Sequence, residues 1–198
     1  MSKKQLRIIG LAGTNGSGKD TVGKLLSKQH NYLFVSVTDL LRAELKRRKL
    51  DVSRENLRTL SAEWRLKQGL GVLVDMALST YKAAAHNYAG LVIGSLRNSG
   101  EVDRVHDLGG TVVWVDAQPR IRYNRIQRNA ALRGRADEDN KSYDQFLAEE
   151  ATEMHRPIGA DSTVLNMLDV KKASDVFLEN NRDDVGSLKN TLDKALGL

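Results

Sequence analysis

The chain has 198 residues, 40% of them hydrophobic and 28% charged, with a net charge of +6 and no cysteine. That length suits one domain with a substantial core, and no segment reaches the ~20 continuous apolar residues that span a bilayer, so no membrane role is expected. The lack of cysteine excludes disulfides and thiolate metal sites and suits a reducing cytoplasm, while the positive charge suits polyanionic partners such as nucleotides or nucleic acid.

Residues 6–12, Leu6-Arg7-Ile8-Ile9-Gly10-Leu11-Ala12, form a short apolar run that leads into glycine. The run predicts a buried parallel strand rather than the apolar core of a signal peptide. Val22, Leu25 and Leu26 recur at helical spacing over 19–29, so the chain begins strand, glycine-rich turn, helix. Residues 33–37 predict a second strand, and residues 39–50 a helix with Leu40, Leu41 and Leu45 on one face and Thr38 as its cap. Ser53 opens another helical stretch through Trp64, Gly69 and Gly71 punctuate it, and a further helix runs over about 72–86. Two more apolar strands follow at 90–94 and 111–115 with a helix over 101–108 between them, then a fifth strand at 174–178 and a final helix over 184–196. Alternating strands and helices need crossover connections, which predicts an α/β class: a doubly wound, parallel five-stranded sheet. One domain over 1–198 is expected, with a helical region at 39–88 and a polar, glycine-containing loop at 129–142 between two helices. His30, His86, His106 and His155 lie far apart without metal-ligand spacing and read as solvated or capping residues.

The turn Gly13-Thr14-Asn15-Gly16-Ser17-Gly18-Lys19-Asp20-Thr21 fits the G-x-x-x-x-G-K core of the Walker A motif in the strand-to-helix context the motif needs. Gly13, Gly16 and Gly18 let backbone N–H groups turn around phosphate oxygens, with Asn15 and Ser17 between them. The helix N-terminus adds partial positive charge, and Lys19 reaches the β and γ phosphates. Asp20 stands where the motif has a hydroxyl for Mg²⁺, and the hydroxyl follows at Thr21. Asp20 either adds an oxygen ligand to a water-rich Mg²⁺ shell or caps the helix.

At this point the chain resembles small P-loop kinases of the adenylate-kinase-like and dephospho-CoA-kinase-like branch, including phage-type deoxynucleotide kinases that share a Gly-Lys-Asp-Thr turn. The segment Ser36-Val37-Thr38-Asp39-Leu40-Leu41-Arg42-Ala43-Glu44 looks like the family's segment after the second strand, whose Asp and Arg face the acceptor. Leu91-Val92-Ile93-Gly94-Ser95-Leu96-Arg97 looks like the third strand with the acceptor-phosphate arginine after it. Arg42 and Arg97 also lie just beyond the carboxyl ends of predicted strands, the edge where open α/β sheets bind ligands. Asp39 at that edge can take the proton of an attacking hydroxyl, bind an acceptor group or ligate metal-bound water, or it can cap its helix. The family ends the third strand with an Asp that serves the metal, and this chain has Gly94 there.

The resemblance also implies an arginine-rich lid over the triphosphate. Arg120, Arg122, Arg125, Arg128, Arg133 and Arg135 fall in this region; Arg125 and Arg128 share a helix face, and Arg128 and Arg135 are the expected contacts to the γ-phosphate. Asn180 and Asn181 look like the loop that meets the adenine base. The expectation is therefore a kinase that uses ATP and Mg²⁺ and phosphorylates a nucleoside monophosphate or a small phosphorylated acceptor such as dephospho-coenzyme A. The alternative is a nucleotide-binding regulatory ATPase or nucleic-acid-associated module without transfer, drawing on Lys46-Arg47-Arg48-Lys49. The 5% aromatic content and lack of a nucleic-acid motif argue against nucleic acid as a partner, and the sequence sets no oligomeric state.

Overall fold

The computed structural model describes residues 6–84, 87–130, 141–155 and 159–198. Strands β1 (Arg7–Gly13), β2 (Tyr32–Ser36), β3 (Gly90–Leu96), β4 (Thr111–Asp116) and β5 (Val176–Glu179) form one sheet in the order β2-β3-β1-β4-β5. Every neighbouring pair is parallel, so the sheet is the doubly wound, five-stranded one read from the sequence. Helix α1 (Lys19–His30) links β1 to β2. Helices α2 (Val37–Arg47), α3 (Arg54–Gln68) and α4 (Val72–Ala83) lie between β2 and β3. Then come α5 (Ser99–Asp107), α6 (Pro119–Arg128), α7 (Tyr143–Met154), α8 (Met167–Lys172) and α9 (Val185–Leu196). Among the described residues no helix is long and apolar enough to cross a membrane.

Side-chain alternation in the central strand explains why the sheet is covered on both faces. Ile8 and Ala12 of β1 enter one core with residues of α2 to α5 and α8, whereas Ile9 and Leu11 enter a second core with α1 and α9. Val112 and Trp114 of β4 face the first core, and Val113 and Val115 the second. Each such buried Val, Leu or Ile side chain contributes about 1.5–3 kcal/mol of apolar transfer free energy.

Two helix starts differ from the sequence reading for identifiable reasons. Helix α2 begins at Val37 with Ser36 as a cap that makes no side-chain hydrogen bond, not at Asp39 behind a Thr38 cap. Val37, Leu41 and Leu45 are buried at a spacing of four, so the core draws the chain into helix straight off β2. Helix α5 begins at Ser99 because Asn98 and Glu101 form a capping box, which makes Glu101 the third helical residue rather than the first. Ser53 caps α3 as expected, accepting a hydrogen bond from Asn56 N. Helix α8 had no counterpart in the periodicity analysis.

Candidate active site

The turn between β1 and α1 is held from several sides. Gly13 sits at φ 137°, and a Cβ there would lie 1.9 Å from the carbonyl oxygen of Val115, so the close approach of β1 and β4 leaves no room for a side chain. Thr14 Oγ1 donates to Asp116 Oδ1 at 2.7 Å, and the same carboxylate accepts from Ala117 N and Trp114 Nε1. Lys19 Nζ donates to Thr14 O at 2.7 Å, Asn180 Nδ2 to Ser17 O at 2.8 Å and Arg122 Nη1 to Asn15 O at 3.4 Å. With these carbonyls engaged by side chains, the N-terminus of the twelve-residue helix α1 presents its N–H groups and dipole as an anion site in front of the turn.

Asp20 and Thr21 are exposed in the first turn of α1. The cap itself is Gly18 without a side-chain hydrogen bond, so Asp20 does not cap, and its charge meets the helix dipole instead. Either oxygen fits an Mg²⁺ ion carried in with a nucleotide's phosphates, the mode in which Mg²⁺ keeps several waters. Among the described residues no three His, Cys, Asp or Glu side chains gather into a metal site. At Gly94 an added Cβ would come 2.6 Å from the Phe34 ring, which also packs on Gly23. Phe34 thus fills the space that a carboxylate at the end of β3 would need.

Three expectations change. Asn180 is buried and bonds the back of the turn through Ser17, so it braces the turn instead of facing a base. Arg128 is largely exposed and pairs with Asp183 at 3.0 Å, beside Arg125 on the same carboxylate, in the loop before α9. The arginines hold the Asp183 carboxyl below its ordinary range, chiefly through the hydrogen bond from Arg128 and then that from Arg125. Asp39, expected to face the acceptor, is exposed on α2 and lines neither cavity described below. Arg135, Arg133 and most of the stretch 129–142 lie outside the described residues, as does His86.

Beyond the turn lies a cleft of about 640 Å³ lined by Thr38, Arg42, Arg54, Arg58, Arg65, Ser95, Arg97 and Glu153, among others. Arg42 and Arg97, named from the sequence, therefore share one wall with three further arginines. Arg42 Nε is buried and has no hydrogen-bond partner among the described residues. Arg97 Nη1 donates to Glu153 Oε2 at 3.0 Å, and Arg58 Nη2 to Glu153 Oε1 at 3.1 Å. Burial alone would push the Glu153 carboxyl up, but the charges of Arg97, Arg54 and Arg58 outweigh it and hold the group at about 2.

A buried ion pair fixes the wall that carries Arg97. Arg65 Nη2 meets Glu101 Oε1 at 2.7 Å, with 2% and 0% of the two side chains exposed. Glu101 Oε2 accepts from Arg97 N at 2.7 Å, while Arg65 Nη1 donates to Thr163 O at 2.9 Å. Asn98 Nδ2 donates to Ser162 O and Val164 O. Buried charges persist only when paired and fully hydrogen-bonded, and these bonds set the path of the chain through Arg97.

A second, small cavity abuts the turn at Gly13, Thr14 and Asn15 and is walled by Glu149, Glu150 and Glu153 of α7. Asn15, Arg54 and Glu153 line both cavities, so the Walker A turn and the arginine cleft meet there. Glu150 binds Arg122, whose Nη2 lies 2.9 Å from Glu150 Oε2, and Arg122 is only 3% exposed. Among the described lid-region arginines it is Arg122, not Arg128, that reaches the turn.

Asp116, Arg54, Arg58, Arg65 and Glu153 were not singled out from the sequence. Asp116 ends β4 at the carboxyl edge, the same signal that pointed to Arg97, and applying that rule to every strand finds it. Glu153 carried no local signal, since its partners are 56 to 99 residues away along the chain.

The AAA domain model matches residues 9–152. A UPF0200 protein of Hyperthermus butylicus is 30% identical over 180 residues, covering 90% of this chain and 91% of its own. The chain belongs to the AAA domain family and to the UPF0200 proteins. A second UPF0200 protein, from Pyrobaculum aerophilum, is 27% identical over 96% of this chain and 97% of its own. Shikimate kinase from Acinetobacter baumannii, solved in complex with shikimate, superposes with a TM-score of 0.60 at 15% identity, covering 98% of this chain and 95% of its own. The fold is thus the P-loop kinase fold that the Walker A turn implied.

Proposed function

We propose that this UPF0200 protein is an ATP-dependent kinase that transfers the γ-phosphoryl group to a nucleoside monophosphate or a related phosphorylated small molecule such as dephospho-coenzyme A, in a reducing cytoplasm. The observation that carries this reading is the junction of the Walker A turn with the arginine-lined cleft, with Asn15, Arg54 and Glu153 common to both cavities. Phosphoryl transfer asks a protein mainly to bring donor and acceptor into line and to neutralise charge on the transferring group. In this reading Lys19 and the N-terminus of α1 hold the donor's β and γ phosphates. Arg97 and Arg58 grip the acceptor's anionic group, and Arg42 supplies a guanidinium whose Nε has no hydrogen-bond partner among the described residues. Mg²⁺, held by the nucleotide with Thr21 or Asp20 nearby, would supply further charge neutralisation. Water is excluded by the wall of α7 over the turn.

A second reading, nucleotide binding without transfer, is favoured by Phe34 occupying the space of a carboxylate at Gly94. The two are separated by ATP consumption with Mg²⁺ across nucleoside monophosphates, deoxynucleoside monophosphates, dephospho-coenzyme A and shikimate, with Lys19→Ala as control. Acceptor-dependent turnover that is lost in Lys19→Ala supports the kinase. Nucleotide binding with no acceptor-dependent turnover supports the second reading.

A further inference from the structure

Glu153 is held as a bound anion is held. Guanidinium groups from two separate parts of the chain converge on its carboxylate: Arg97 at 3.0 Å from the turn between β3 and α5, and Arg58 at 3.1 Å and Arg54 at 3.7 Å from α3. Its side chain is 14% exposed, and it stands where the two cavities meet. The neighbouring carboxylates of α7 have other cations: Glu150 binds Arg122, and Glu149 binds Arg54 and Lys141. Glu153 is therefore the carboxylate of α7 bound to Arg58 and Arg97, and the adjoining Arg42 Nε is buried with no hydrogen-bond partner among the described residues.

We infer that Glu153 is the resident counter-anion of the acceptor site, exchanged for the acceptor's own anionic group when it binds Arg58 and Arg97, and that the guanidinium pair so released favours a dianionic phosphoryl group over a single carboxylate. The inference rests on the kinase reading only in calling the ligand of Arg97 the acceptor. The selection follows from charge. A carboxylate acceptor replaces one monoanion by another and gains little, because the arginines lose as much from Glu153 as they recover. A phosphate dianion brings a second charge and a third acceptor oxygen to guanidinium groups built for bidentate contact. Displacing Glu153 costs the same for either ligand, so the resident anion sets how tightly any acceptor must bind to enter, and the preference for phosphate comes from its second charge and third oxygen.

The test is calorimetric titration of the full chain with inorganic phosphate and, separately, with acetate, in the absence of ATP, for wild type, Glu153→Gln, Arg97→Ala and the double variant. The exchange predicts that Glu153→Gln binds phosphate about tenfold more tightly than wild type, and acetate with a gain of no more than similar size, because the same competitor has been removed for both. The gain must vanish in the double variant, which distinguishes the cleft from phosphate seated on the Walker A turn. Unchanged or weaker phosphate binding by a folded Glu153→Gln, or a gain that survives Arg97→Ala, overturns the proposal. Should Glu153→Gln fail to fold, Glu153→Asp, which withdraws the carboxylate by one methylene, carries the test: tighter phosphate binding supports the exchange, and equal or weaker binding overturns it. Absence of turnover with every acceptor would sink the kinase reading while leaving these affinities as they are, so the two failures are told apart.

Discussion

The two ends of the site are built by opposite means. The Walker A turn is a local device: nine consecutive residues, a fixed backbone path at Gly13, and carbonyls bonded to side chains just behind it. The arginine cleft is a tertiary device, assembled from α2, α3, the turn before α5 and α7, and held by charge against charge. A backbone cradle keeps its shape without its ligand, whereas convergent arginines need a counter-charge at all times. Glu153 and Glu101 supply it, one at the wall of the cleft and one beneath it. The cleft is accordingly the end whose stability and affinity are tied to ionisation.

The sharpest way to break this contrast is to remove the buried counter-charge. Glu101→Leu leaves the Arg65 guanidinium unpaired in the core and is expected to cost about 3–5 kcal/mol, read from urea unfolding. It should also raise KM for the acceptor more than for ATP, because the chain through Arg97 loses its bond to Glu101 Oε2. At the other end, Lys19→Ala should leave stability nearly unchanged and lower turnover by about 10²–10³-fold, since one charge-stabilising donor is lost from the transferring group. Equal effects on stability from both substitutions would erase the distinction drawn here.

Ionisation of Glu153 sharpens the contrast further. Its carboxyl is held at about 2 against an ordinary 4.5, so the bound proton count is lower in the folded chain. The stabilisation, on the order of 3 kcal/mol, is fully present above about pH 4.5 and is lost as pH falls through about 2. The stability gap between wild type and Glu153→Gln should therefore narrow by about half between pH 6 and pH 3, as measured by urea midpoints at each pH. A gap that is independent of pH would show that Glu153 acts through packing instead of charge. The smallest expected effect is at Ser95, a cleft residue at φ 68°, where Ser95→Gly removes a left-handed strain and should stabilise by about 0.5–1 kcal/mol in the same assay.

The same contrast decides what could be read from the sequence. The sheet and most helices follow from short continuous apolar runs and from apolar residues recurring near every fourth position, because each element's burial is set by its own residues. Gly13 to Lys19 was legible because the Walker A turn is contiguous. Arg97 was reached by the rule that ligands bind at the carboxyl edge of parallel strands, and Asp116 satisfies the same rule but was passed over. Glu153 and Arg65 were invisible for a physical reason. A charged side chain in an amphipathic helix reads as a solvated face, and only the tertiary fold shows that this face is turned inward onto opposite charge. Asn180 shows the reverse case, where a family pattern put a residue at the base while its buried amide holds Ser17. The start of α5 was misplaced by two residues although Asn98 and Glu101 spell a capping box, a local signal that outranks apolar spacing at helix ends.

The central claim is that a phosphoryl group crosses from the turn to an anion held by Arg97, and mass analysis of the acceptor after incubation with Mg-ATP tests it most directly. The account predicts an acceptor that gains one phosphoryl group with wild type and a far slower gain with Arg97→Ala at subsaturating acceptor. ADP accumulating with phosphate released to water, and no acceptor mass change across the panel, would contradict it.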